Sequence, residues 1–184
     1  MVAESVAEVA RCCVCELLRV RGLALRLGSR TDSARPAGTV SNVDAETLAA
    51  LLLPIEKVAH FIATGDDDDL TAFANKHVVI VENFEPYLFE GPRVVRLWAQ
   101  AMRAHVSGIE GLQHRFGTPH DVSVAGETAY LSMPTHWSGM RDGQRFDEDG
   151  GWAFVLVKHK FKLHDEWRVR SYSWAVTQFS LTSG

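Results

Sequence analysis

The sequence predicts an α+β domain over residues 44–180, with helices in front and strands behind, and two observations predict it. From Asp44 to Gly108 the apolar residues recur mostly at the 3.6-residue spacing of helices, interrupted by one short β-branched run. Beyond Gly108 the period switches to two, and short turns join the segments, so consecutive strands should form a meander with the helices on one face.

The first helix carries Leu48, Leu51, Leu52, Ile55, Ala59 and Ile62 as one apolar stripe. Asp44 is its N-cap, and Gly65 ends it as a left-handed C-cap. Pro54 implies either a kink or a helix that begins there. Asp66 caps a second, short helix with Leu70, Phe73 and Ala74 inward. The acidic run Asp66 to Asp69 looks like a metal site but reads better as a helix start favoured by the dipole. Val78–Val81 is a strand by its β-branched content. After a loop with Pro86 and Tyr87, Gly91 and Pro92 open a third helix, whose stripe is Val94, Trp98, Ala101, Met102 and His105. The later strands are Leu112–Val124, Thr128–Met140, Trp152–Lys162 and Trp167–Phe179. Their turns fall at Gly126, across Asp142–Gly150, and at His164–Asp165.

Composition narrows the function classes. The chain has 184 residues, 46% hydrophobic and 23% charged, as an ordinary globular protein does. A net charge of −4 with scattered lysines and arginines offers no basic face, which argues against nucleic acid. No charge-free apolar run approaches the roughly 20 residues of a membrane span. Cys12, Cys13 and Cys15 sit together with no later cysteine to pair with, so the expectation is a cytoplasmic protein with reduced thiols. A Cys-Cys-x-Cys metal site would need a fourth ligand that does not follow. Residues 1–40 hold six arginines and no lysine, histidine or aromatic residue, and end in a linker from Ser29 to Gly38. They read as a disordered or weakly helical appendage, or as an over-extended start with the true beginning near Val40 or Val43.

Thr64-Gly65-Asp66, then Phe73-Ala74-Asn75 and Val78 to Asn83, a Gly91-led helix and the closing run Glu166 to Trp174 together carry a resemblance. Over about residues 44–179 the chain resembles the nuclear transport factor 2-like superfamily, most of all its SnoaL-like, ketosteroid isomerase-like branch. That resemblance implies a cone-shaped, curved, mostly antiparallel (mixed) sheet wrapped around three N-terminal helices and enclosing a deep apolar pocket. It also implies a homodimer through the outer face of the sheet. Function is not implied, because the fold hosts isomerases, dehydratases, hydrolases, cyclases and non-catalytic modules.

By the same resemblance Glu82 stands where the isomerase-like proteins place a general base. A carboxylate at the rim of an apolar pocket loses hydration, and its pKa rises toward the range useful for taking and returning a proton. The partners do not carry over. Val58 occupies the position of the phenol donor and cannot donate, and Trp152 to Lys158 hold no carboxylate for a second acid. His136 is the expected assistant, with His159 and His120 as further acid, base or ligand candidates. His136, His159 and Glu82 would make a two-histidine, one-carboxylate metal set, but no spacing supports one. Asp147 to Gly150 is a hairpin tip rather than a calcium loop.

Trp98 is expected to line the pocket, with Tyr87, Phe89 and Tyr130 at its mouth and His159 nearby. In the last strand Trp167, Val169, Ser171 and Ser173 share a face; if it is concave, the serines leave room for a ligand. Arg168, Arg170, Tyr172 and Trp174 would then point outward, as at an interface. The expected activity is binding of a small apolar organic molecule with cofactor-free, metal-free proton transfer, namely isomerisation, dehydration or cyclisation. The alternative is a non-catalytic ligand-binding or dimerisation module. A buried Glu82 beside a second polar group would favour the enzyme, and a cavity plugged around Trp98 the module.

Overall fold

The computed structural model describes residues 43–160 and 164–183. The expectations for residues 1–40, with Cys12, Cys13 and Cys15, and for the far end of the strand predicted to reach Lys162 lie outside the described residues.

Helix α1, Ala45–Thr64, forms as its caps dictate. The Asp44 carboxylate accepts from the Thr47 N–H at 2.7 Å, and Gly65, at φ 76°, donates its N–H to the Phe61 carbonyl. Pro54 lies inside continuous helix, so the start at Pro54 is excluded. With 20 residues α1 is long and apolar enough to cross a bilayer, yet Leu51, Ile55, Val58 and Phe61 are buried in the core it shares with the sheet. A 3-10 turn over Asp67–Ala72 follows, its N-cap Asp66 accepting from the Asp68 N–H at 3.0 Å. Helix α2, Val94–His105, buries Val94, Trp98 and Met102 of the predicted stripe.

The strands are β1 Val79–Val81, β2 Leu88–Phe89, β3 Ile109–Phe116, β4 Asp121–Ala125, β5 Thr128–Arg141, β6 Gln144–Lys160 and β7 Asp165–Ser183. They form one mixed sheet in the order β2-β1-β7-β6-β5-β3, with β4 on the β5 edge as well. β1 runs parallel to β7, Ile80 opposite Tyr172, and the other pairs are antiparallel. β2 was not expected: the segment read as a loop closes a small hairpin on β1.

Three further departures have local causes. The single strand expected over Leu112–Val124 is two, both along one edge of β5, broken where Pro119 can give no N–H to a ladder. The Gly117 and His120 N–H groups still donate to the Pro134 and Ser132 carbonyls, so pairing resumes at once on either side.

The long turn expected across Asp142–Gly150 is a two-residue turn at Asp142-Gly143, both at positive φ, with Arg141 opposite Gln144. Asp147, Glu148 and Asp149 are therefore strand residues and no hairpin tip.

The third departure lies in β7. Val155 pairs Ser171 but Leu156 pairs Val169, which leaves Arg170 as an extra residue in a β-bulge. A one-residue slip reverses every later side chain. Trp167 and Val169 are buried as expected, but beyond the bulge it is Tyr172 and Trp174 that turn inward, while Ser171 and Ser173 do not.

Candidate active site

Glu82 follows β1, and its N–H donates to the Tyr87 carbonyl at 2.9 Å, so the β1–β2 hairpin fixes its backbone. Its side chain is 5% exposed and faces inward with Ile80. Oε1 accepts from the Trp98 indole Nε1–H at 2.9 Å and from the Tyr172 hydroxyl in a short bond. Both bonds fall on the same oxygen, leaving Oε2 without a partner among the described residues. Burial pushes the Glu82 pKa from its ordinary 4.5 up to about 7, against the pull of the two hydrogen bonds, and the nearby Glu148 adds to the rise. Burial and the Glu82 charge together drive the Tyr172 phenol up, so it stays a donor.

A cavity of about 410 Å³ opens beside this carboxylate. Glu82, His105, Arg141 and Glu148 are its ionisable groups, and Trp137, Trp152, Trp174, Phe146 and Phe179 supply much of the apolar wall. Glu148 is on the inward phase of β6 with Phe146 and Trp152. It accepts from the Trp174 Nε1–H at 3.2 Å, and burial raises its pKa. His105, stacked on Phe84 with ring centroids 4.2 Å apart, has its pKa lowered by burial and by the charge of Arg141, which favours the neutral ring near pH 7.

Gly150 makes room for this wall. A Cβ there would lie 2.3 Å from the Trp174 ring and 2.6 Å from the Ala175 carbonyl oxygen. Gly150→Ala is therefore expected to push Trp174 off Glu148 and to cost about 1–3 kcal/mol or more by overpacking, read as a lower urea midpoint. An unchanged midpoint would show that the ring has space to move.

Of the expected site residues, the structure brings only Glu82 and Trp98 together. Trp98 is fully buried against Phe61, Phe73 and Tyr172, behind Glu82 rather than on the cavity wall. Tyr87 is 55% exposed and Tyr130 also faces water, while Phe89 packs into the core against Phe84. His136 alternates with the buried Trp137 and so lies on the opposite sheet face, its Nδ1 2.8 Å from the Asp149 carboxylate. It does not reach the cavity. His159, opposite Glu166 near the end of β6, and Ser171 and Ser173, turned by the bulge, do not line it either.

Of the five tryptophans, one or two of which were expected to line the pocket, Trp137, Trp152 and Trp174 do; sequence reasoning missed Glu148 and placed Tyr172 and Trp174 on the outer face. An Asp-Gly pair is a strong hairpin signal, and it would have put Glu148 in phase with Trp152.

His60, Asp66 and Asp69 hold potential ligand atoms within 4.8 Å of one another. These groups already serve the helix junction: Asp66 caps the 3-10 turn and Asp69 lies 2.5 Å from the His60 Nδ1. Beside them Arg103 binds Asp67 and the Gly65 carbonyl.

No family model matches the sequence, and no curated protein matches it. Solved structures do. A protein from Kribbella flavida is 17% identical at a TM-score of 0.61, over 74% of this chain and 95% of its own. A hexachlorocyclohexane dehydrochlorinase from Novosphingobium barchaimii is 8% identical at 0.62, over 76% and 92%. A proposed ketosteroid isomerase from Shewanella frigidimarina is 15% identical at 0.52, over 68% and 94%. At such identities the likeness is one of fold.

Proposed function

We propose that this chain, which has the nuclear transport factor 2-like fold, binds a small, largely apolar organic molecule beside Glu82 and moves a proton on it without a cofactor. Isomerisation, dehydration and aldol-type cyclisation are the reaction classes that such chemistry serves. One observation carries the reading: a buried carboxylate with a pKa of about 7 is anchored through Oε1 and keeps Oε2 free on a cavity wall. A base is most effective when its pKa lies near the working pH. Trp98 and Tyr172 hold the carboxylate in one orientation, and Glu148, also raised, is a second group able to give or take a proton. Solved structures of the same fold bear the names of a dehydrochlorinase and an isomerase, which accords with proton chemistry.

The second reading is a non-catalytic binding module, favoured by the structural bonds Glu82 already makes to Trp98 and Tyr172. One experiment separates the two. Apolar compounds of metabolite size are screened for a rise in melting temperature, and the hits are incubated with protein in D2O. Deuterium uptake by wild type and none by Glu82→Gln supports the enzyme; equal stabilisation of both proteins without uptake supports the module. As for partners, a second copy over the outer sheet face would cover the exposed Tyr130, which sedimentation would reveal as a dimer.

A further inference from the structure

Three of the four ionisable groups on the cavity are engaged by neighbours. Glu82 accepts from Trp98 and Tyr172, Glu148 accepts from Trp174, and the His105 ring is stacked on Phe84. Arg141 is the fourth. It lines the cavity, is exposed, and makes no hydrogen bond or ion pair among the described residues. Two carboxylates stand close to it along the backbone: Asp142 follows it, and Glu110 follows its cross-strand partner Ile109. Neither forms an ion pair with it.

The strand puts this cation on the cavity side. Between β5 and β6 the register runs without a slip from Trp137 opposite Glu148 to Arg141 opposite Gln144. Side chains alternate, so Trp137, Gly139 and Arg141 share the inward face with Phe146 and Glu148, while Met140 and Arg145 take the other. Gly139 puts no side chain between Trp137 and Arg141. A Cβ there would lie 2.9 Å from the Ile109 Cγ2, so an apolar side chain of β3 covers that gap. At about 3.3 Å per strand residue, Arg141 stands about 13 Å along β5 from the pair Trp137 and Glu148. The charge of Arg141 is felt across the cavity, where it lowers the pKa of His105 at the end of α2.

We propose that Arg141 is a carboxylate-binding residue at the open end of the cavity, and that the ligand is an apolar organic acid. The rings or chain of the acid lie against Trp137, Phe146 and Phe179, and its carboxylate rests on the guanidinium. This builds on the cavity as the binding site and narrows its substrate class. A guanidinium keeps its charge at every working pH, and its planar fork matches a carboxylate with two parallel hydrogen bonds. A body of one or two rings fits the span from Arg141 toward Glu148. The charged end is thereby held at the water side and the apolar end is delivered inward.

The test is titration calorimetry at about pH 6 with 2-naphthoate and its uncharged analogue 2-naphthamide. At that pH the naphthoate is ionised while most Glu82 still holds its proton, so the base does not repel the acid. The wild-type protein is expected to bind the naphthoate about 5- to 10-fold more tightly than the amide. In Arg141→Gln that advantage is expected to vanish while the amide still binds, which shows that the variant keeps its cavity. Arg141→Lys, which keeps the charge and loses the fork, is expected to restore part of it. Equal affinity of the wild-type protein for the two compounds overturns the proposal and leaves the cavity with an uncharged occupant. An advantage that persists in Arg141→Gln, as protonation of His105 on binding would give, overturns it too. Failure of both compounds to bind overturns it together with the cavity as a binding site. The titration involves no turnover, so its result is independent of whether exchange in D2O stops in Glu82→Gln.

Discussion

Between about pH 4.5 and pH 7 the wild-type protein is expected to lose about 3 kcal/mol of stability, and Glu82→Gln is expected to lose far less. Burial raises the carboxyl pKa from 4.5 to about 7, so the folded protein keeps a proton that the unfolded chain has already released. Stability from this group is therefore complete below the unfolded pKa and drains away as pH rises through the folded one. At about 1.4 kcal/mol per pH unit, the interval gives the stated figure. Glu148, whose pKa burial also raises, acts in the same direction, and His105, whose pKa is lowered, acts in the opposite one. Comparison with Glu82→Gln isolates the one group. Urea unfolding near pH 5 and near pH 8 supplies the four numbers, and a wild-type protein as stable at the higher pH as its variant predicts would mean that Glu82 is hydrated.

The second large effect belongs to Trp98. Removing its fully buried ring from between Phe61, Phe73 and Tyr172 in Trp98→Ala is expected to cost about 3–5 kcal/mol. Trp98→Phe keeps an aromatic ring there and removes the donor to Glu82. A hydrogen bond to a charged group contributes about 1.5–3 kcal/mol, and this acceptor is charged only above about pH 7. The phenylalanine variant should thus be close to wild type in acid and fall behind it in alkali. Equal losses at both ends of the pH range would assign Trp98 to packing alone.

The parts of this fold legible in the sequence are those fixed by neighbours in the chain. Asp44, Gly65 and the stripes of α1 and α2 announce helices whose caps and periodicity need no tertiary context. Glu82 was legible as a position, but its environment was not, since Tyr172 lies 90 residues away along the chain. The large side chains of β7 do change phase, from Trp167 and Val169 to Tyr172 and Trp174, and a single buried face can accommodate that change only through an extra residue. A strict period of two, carried through Arg170 and Ser171, reversed the inner and outer faces and hid the phenol that holds the base. At Asp142-Gly143 the acidic residues that follow suggested a loop, although charge on a strand edge or at a cavity mouth is compatible with pairing.

The parallel seam of β1 and β7 joins an early strand to the end of the domain. A ribosome-bound chain that still lacks β7 has no phenol to offer Glu82 and no strand to join β1 to the rest of the sheet, so its acid would titrate like any other carboxylic acid in solution. The unusual proton affinity arises only once β7 has been made and the two strands have met, which makes the titration of one side chain a report on whether this domain has closed.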